Sequence, residues 1–324
     1  MFLKTPKNYP KEYQKSGFTL PELLLAAVMG FIVSSSILSL TANIISDSQK
    51  EIAGSKTQQQ MKTALNYIAE ELRGAVYIYT GQGLDKITPY LPNFPSNKKP
   101  VLAFWKVESL PYPNSGDLPN NCDTQFVNED LKEECKTIKI ERNSYTLVVY
   151  LQSTDNPNNS WKGQSRLERY ELRKYGNLTT LAKNPGYADP RKESSFGDWP
   201  FFDSSNKQEP GTMSTATEPL VDFIYTNNTS SLPSLPDCVI NSSTEISPSP
   251  TYNSANDENY SRGFYACVGF VDQDNDLVPD TYQDVKIFLT GNAKGQTGYQ
   301  TTDSSVPLET QIMTKGVIQK KSID

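Results

Sequence analysis

Two sets of residues in this chain have types and spacing that could do chemistry. The first centres on Glu22, a carboxylate just ahead of an apolar run with no further charge until Asp47. Before it lies Gly17-Phe18, a small-residue junction that follows Lys4, Lys7, Lys11 and Lys15 and the single acid Glu12. Cutting that junction would free the amine of Phe18, with a reference pKa of about 8. A carboxylate at the edge of a membrane helix is costly without a partner. The Glu22 of one subunit could pair with the Phe18 amine of the next, neutralising both. The second set is Asp272, Asp274, Asp276 and Asp280, whose spacing suits an oxygen-ligand calcium loop. Leu277 stands where the usual turn glycine belongs, and Gln283 where a bidentate Glu would sit. The alternative is a solvated acidic hairpin with no cation. No other cofactor is expected.

Other chemistries are narrowed by composition. The chain has no histidine, which removes Ser-His-Asp and Cys-His catalysis and every His-ligated metal site. A carboxylate-only enzyme is the alternative left open, but acidic residues alone are too common to support one, and the expectation is no enzyme. Losing the leader's four lysines and one glutamate takes the net charge from −6 to −9. That argues against nucleic acid, which needs a clustered basic surface. The cysteines are Cys122, Cys135, Cys238 and Cys267. An even count in an exported domain reads as disulfides, and sequence order favours Cys122–Cys135 and Cys238–Cys267. Zinc is the rival, but no pair has C-x-x-C spacing.

The elements that must position these groups follow from the apolar pattern. A secretory signal peptide places its apolar region ahead of the cut; here that region follows Gly17. Lysines before a span hold that end in the cytoplasm. The expectation is one pass through the inner membrane, with the C-terminal domain in the periplasm. Leu23 to Ile45 is long enough to cross about 30 Å of hydrocarbon. Ala26, Ala27, Gly30 and Ser34-Ser35-Ser36 would let helices approach closely. Residues 46–80 are expected to continue as an amphipathic helix through Ile52, Met61, Leu65, Ile68, Leu72 and Val76, ended by Gly81 and Gly83.

Beyond residue 80 the pattern turns to β. Candidate strands are Val101–Val107, Thr137–Arg142, Tyr145–Gln152, Leu167–Tyr175, Pro219–Thr226, Gly263–Val271 and Asp284–Thr290. Tyr145–Leu151 is nearly all apolar, which suits a central strand. Residues 85–99, 108–134, 183–218 and 227–258 read as long connections. The fold class is α+β, a long N-terminal helix on an antiparallel sheet domain spanning 81–324. Asn-x-Ser/Thr triplets at Asn158, Asn177, Asn227, Asn228 and Asn241 match glycan acceptors, but a chain rich in Asn and Ser produces them by chance. The 18 tyrosines are expected on strand faces, with a carbohydrate-binding platform as the alternative.

The basic leader (1–17), Gly17-Phe18-Thr19-Leu20-x-Glu22 and the helix of 18–45 resemble the type IV prepilins and type II secretion pseudopilins. The resemblance is specific over residues 14–45. It implies a prepilin peptidase cut after Gly17, N-methylation of Phe18, and a role for Glu22 in subunit register. It also implies other pilin or pseudopilin subunits and an inner-membrane assembly platform as partners, and a filament as destination. Ala64-Leu65-Asn66-Tyr67-Ile68-Ala69-Glu70-Glu71-Leu72-Arg73 and Leu167-Glu168-Arg169-Tyr170 resemble J-type minor pseudopilins. The chain's size, and Cys267 shortly before Val285–Ala293, are similar to the cyanobacterial pseudopilins of hormogonium polysaccharide secretion. Two roles follow from the resemblance: a minor structural subunit, or a tip adhesin that binds carbohydrate.

Overall fold

The computed structural model describes residues 17–192, 196–226, 238, 240, 245–251, 263–271, 283–297 and 305–313. The chain divides into two compact units at Lys50/Glu51. Helix α1 runs Leu20–Arg73, and its first part makes up most of the smaller unit.

The larger unit is α+β. Its main sheet contains β1 (Ala75–Ile78), β2 (Lys98–Ser109), β3 (Asn143–Ser153), β4 (Ser165–Leu172), β9 (Glu218–Ile224), β10 (Glu245–Ser249), β11 (Phe264–Phe270), β12 (Gln283–Asn292) and β13 (Ser305–Met313). The order is β1-β2-β3-β4-β9-β12-β11-β10, with β13 also on β12, and every pairing is antiparallel. β9 and β12 share one pair, Gly291 with Ile224, so two arms of the sheet meet there.

Strand side chains alternate between faces, and here both faces are buried. Leu102 and Phe104 of β2, with Val148 and Tyr150 of β3, join Met61, Leu65, Ile68 and Leu72 of α1 in the main core. Each such aliphatic side chain contributes about 1.5–3 kcal/mol on burial. Ala103, Trp105, Leu147, Val149 and Leu151 face the other way, against Tyr187, Trp199 and Leu84. That is why Tyr145–Leu151 reads as nearly all apolar. β3 lies between β2 and β4, the central position expected of it.

Gly291 sets how closely the helix approaches. A Cβ there would stand 2.8 Å from Thr57 Cγ2 and 2.9 Å from Met61 Cγ. The Gln296 amide donates to Thr57 Oγ1 at 3.3 Å and to Gln60 Oε1 at 3.0 Å beside it.

Several expected elements are corrected. Thr137–Arg142 is not a strand but the end of α4 (Glu129–Glu141), which follows the one-turn helix α3 (Cys122–Gln125). Asn128 caps that helix, its Oδ1 accepting from the N–H of Asp130 at 2.8 Å and of Leu131 at 3.3 Å. Cys135 and Ile138, three residues apart, point to the core, whereas Ile140 is 83% exposed. The β-like alternation there has no sheet to serve.

Helix α1 stops at Arg73 rather than running through 46–80. Gly74 breaks it, and Ala75-Val76-Tyr77-Ile78 pairs with β2 instead. Gly81 and Gly83 do not end that helix; they open α2 (Gly81–Ile87), where Thr80 Oγ1 accepts from Gly83 N–H at 3.1 Å. The strand expected over Leu167–Tyr175 ends at Leu172, and Lys174 bends the chain into a hairpin of β5 (Tyr175–Asn177) and β6 (Ala182–Lys183). β10 falls within the expected connection 227–258. It is a terminal strand, where Pro248 is tolerated.

Candidate functional site

The smaller unit holds the residues singled out first. Thr19 precedes the first helical residue and takes the N-cap position, Pro21 follows inside the first turn, and Glu22 is the third helical residue. The Glu22 N–H donates to the Thr19 carbonyl at 3.0 Å and that of Leu23 does so at 3.1 Å. The Thr19 N–H and hydroxyl both approach Glu22 Oε2 at 3.4 Å. Thr-x-x-Glu is the spacing of a capping box, legible in the sequence, and the glutamate half of it forms here, while the Thr19 hydroxyl turns to the carboxylate instead of the Glu22 N–H. It gives Glu22 a use within its own chain. Both contacts are long and both fall on Oε2; Oε1 makes no hydrogen bond among the described residues.

Downstream, the helix is exposed on every side from Leu20 to Ile52. Phe18 is itself 81% exposed. The helix is long and apolar enough to cross a membrane. Its hydroxyls do not oppose that: Ser35 and Ser36 donate to the Ile32 carbonyl at 2.9 and 2.8 Å, and Thr41 to that of Ile37 at 2.8 Å. Polar groups satisfied within the helix can enter hydrocarbon.

In the larger unit the structure joins two segments far apart in sequence. Glu71, near the end of α1, receives two hydrogen bonds from Arg169 of β4, Nε to Oε2 and Nη2 to Oε1, each 2.9 Å. Lys106 Nζ reaches Oε1 at 2.6 Å and the Tyr150 hydroxyl reaches Oε2 at 2.5 Å. Burial works to raise the Glu71 carboxyl, but these donors outweigh it and hold it down at about 2. Arg169 also meets Glu171 at 2.8 Å, and Arg173 links Glu171 to Glu108 at 2.7 and 2.8 Å. The alternating charges fix the helix end to three strands. Glu71 and Arg169 lie in the two segments set apart above for their resemblance, but nothing in their spacing shows that they touch.

A second charged cluster lines a cleft of about 820 Å³ between α4 and residues 183–209. Buried Lys174 bridges Glu134 at 2.8 Å and Asp189 at 3.2 Å, and Arg191 holds Asp189 at 2.9 Å. Burial tends to raise the Asp189 carboxyl; the Arg191 hydrogen bonds and the Lys174 charge push it well below the usual carboxylate range. These charges neutralise one another.

Both cysteine pairs favoured by sequence order stand at disulfide distance. Cys122–Cys135 and Cys238–Cys267 each have a Cα separation of 5.7 Å. Cys122 and Cys135 join Leu110, Tyr112 and Ile138 in a small core around α4, and Cys267 packs with Ile240, Tyr265 and Phe288. With both pairs bonded, the zinc alternative falls. Asp272, Asp274, Asp276 and Asp280 lie outside the described residues, as does the leader before Gly17. Among the described residues no group of His, Cys, Asp and Glu side chains is arranged to hold a metal. Many tyrosines are strand residues as expected, but Tyr77, Tyr150, Tyr170 and Tyr175 are buried and offer no surface.

No family model, curated protein or solved structure matches this chain.

Proposed function

We propose that this chain is a minor pilin or pseudopilin, a structural subunit of a type IV pilus-like or type II secretion-like filament. Its role is assembly rather than catalysis. The subunit waits in the inner membrane with its β domain in the periplasm. Prepilin peptidase cuts between Gly17 and Phe18, and Phe18 is N-methylated. The helix then leaves lipid for a bundle of like helices, where Glu22 faces the Phe18 amine of a neighbour.

One observation carries this reading: an apolar helix exposed all round, opening on a carboxylate whose Oε1 is uncommitted. Such a surface requires lipid or other apolar helices around it. In that setting Glu22 must find a cation or accept a proton.

The test is mass spectrometry of the protein recovered from its native host. A mature chain beginning at methylated Phe18 is expected. A chain starting at Met1, or a cut elsewhere, overturns the proposal. Gly17→Val should stop processing. Glu22→Ala should be processed normally yet enter filaments poorly; wild-type incorporation of that variant would defeat the pairing.

A further inference from the structure

A second concave surface of the larger unit has a chemistry of its own. Phe196 and Trp199 pack in the second core, against Tyr77 and Trp105, and the chain then forms a short hairpin of β7 (Phe201–Phe202) and β8 (Ser205–Asn206). Its turn residues, Asp203 and Ser204, have φ of 47° and 62°. Two consecutive positive φ values make the tight turn that matches strand twist. The hairpin stands beside α2 and the segment after it, enclosing a cleft of about 730 Å³.

Two aromatic rings line that cleft at a right angle. Tyr90 and Phe201 have centroids 5.0 Å apart and an interplanar angle of 86°. Behind them Trp199 is buried, its indole N–H donating to the Ala188 carbonyl at 3.1 Å. The Gln208 amide donates to the Tyr90 carbonyl at 2.9 Å and fixes the backbone under the Tyr90 ring. At the rim stand Asp198, Asp203 and Lys86, all exposed. Neither Asp203 nor Lys86 forms an ion pair among the described residues.

We propose that this cleft binds a neutral or N-acetylated pyranose unit of a polysaccharide. The aromatic corner presents flat apolar walls to the C–H face of a sugar ring. The carboxylates accept from hydroxyls, and Lys86 donates to ring or acetyl oxygens. Most of the exposed lining is polar, with the two rings as its apolar part, which suits a hydroxyl-bearing ring better than an apolar ligand. A phosphate- or carboxylate-bearing ligand would meet Asp198 and Asp203 against a single lysine, on a chain of net charge −6. A wholly apolar ligand would leave the rim charges without partners. The cleft draws only on residues of the larger unit, so the proposal stands or falls separately from the filament reading.

The experiment uses the full chain in a detergent without a sugar headgroup. Tetrasaccharides of glucose, of N-acetylglucosamine and of glucuronate are titrated, followed by tryptophan fluorescence and calorimetry. Trp199 forms part of the cleft, so its emission reports occupancy. At least one of the two uncharged tetrasaccharides should bind, and more tightly than the glucuronate one. Tyr90→Ala should weaken binding by about tenfold or more, as loss of an aromatic anchor does, while Tyr90→Phe keeps it. Asp203→Asn should also weaken it by about tenfold, the size of one good polar contact, with an unchanged unfolding midpoint. The proposal is overturned if neither uncharged tetrasaccharide binds at about 10 mM, if the glucuronate one binds as well, or if Asp203→Asn binds like the wild type.

Discussion

Replacing Glu71 by Gln should destabilise the larger unit by about 3 kcal/mol at neutral pH, and the loss should disappear in acid. The magnitude comes from the carboxyl itself, held at about 2 in the fold against 4.5 for a free glutamate. A depression of that size is worth about 3 kcal/mol of stability when the group is ionised in both states. Breaking a buried ion pair from one side typically costs about 3–5 kcal/mol. The lower end applies here, because Arg169 keeps Glu171 at 2.8 Å and Glu218 at 3.4 Å. Since the folded value lies below the unfolded one, the contribution is complete above pH 4.5 and fades as pH falls towards 2. The assay is urea unfolding of the chain in detergent, read by tryptophan emission. Trp105, Trp161 and Trp199 are all buried, so unfolding exposes every tryptophan of the chain. Glu108, Glu134 and Asp189 are also held low by cationic neighbours. They are common to both proteins and cancel in the difference. The reasoning is refuted if wild type and variant differ by less than about 1 kcal/mol at pH 7, or if their difference is the same at pH 7 and pH 3.

Three further outcomes test the packing. Gly291→Val should cost about 1–3 kcal/mol by overpacking against Thr57 and Met61; an unchanged urea midpoint would show that the helix can lift away freely. Cys122→Ala with Cys135→Ala should cost about 3 kcal/mol, as expected for a short closed loop, and reducing agent should lower the wild-type midpoint but not that of a chain lacking all four cysteines. Asn128→Ala should lose about 1 kcal/mol from the start of α4, measured by the same unfolding curve, with Asn128→Asp close to wild type.

The sequence carried the apolar helix, the strands near 101–107, 145–152, 219–226, 263–271 and 284–290, and both cysteine pairings. These signals are local or nearly so: a continuous apolar run, β-branched and aromatic stretches between turn residues, and order along the chain. The errors share a cause. Thr137–Arg142 alternates like a strand, yet Asn128 had already begun a helix upstream, and the cap outweighs the alternation. Val76 continues the apolar spacing of α1, yet Gly74 ends that helix and β2 offers Tyr77 and Ile78 a ladder. Capping and punctuation decided these segments. The Glu71–Arg169 contact was illegible for another reason, since it joins residues 98 positions apart and depends on how β4 enters the sheet. The aromatic corner of Tyr90 and Phe201 depends likewise on a hairpin of two-residue strands, too short for any periodicity to announce.

Glu22 is where local and collective physics meet. The capping box accounts for its position without any partner, since a helix start gains from an acid at its third residue. It does not account for the surroundings. A cap on a water-exposed helix can be any of several residue types at little cost, but this one opens a run of side chains that water cannot solvate favourably. Leu24, Leu25, Phe31, Ile32 and Leu38 are each at least half exposed. Once that surface is covered, by lipid or by neighbouring helices, the carboxylate loses its water as well. Two contacts of 3.4 Å from Thr19 are too long to replace it. The same burial that satisfies the apolar side chains therefore creates a demand for positive charge at Glu22. Under the proposed function, a freed amine at Phe18 of an adjoining subunit would meet that demand. Glu22→Gln separates the two roles. It keeps an acceptor for the cap and removes the charge, so it should leave the helix start intact while impairing incorporation as expected for Glu22→Ala.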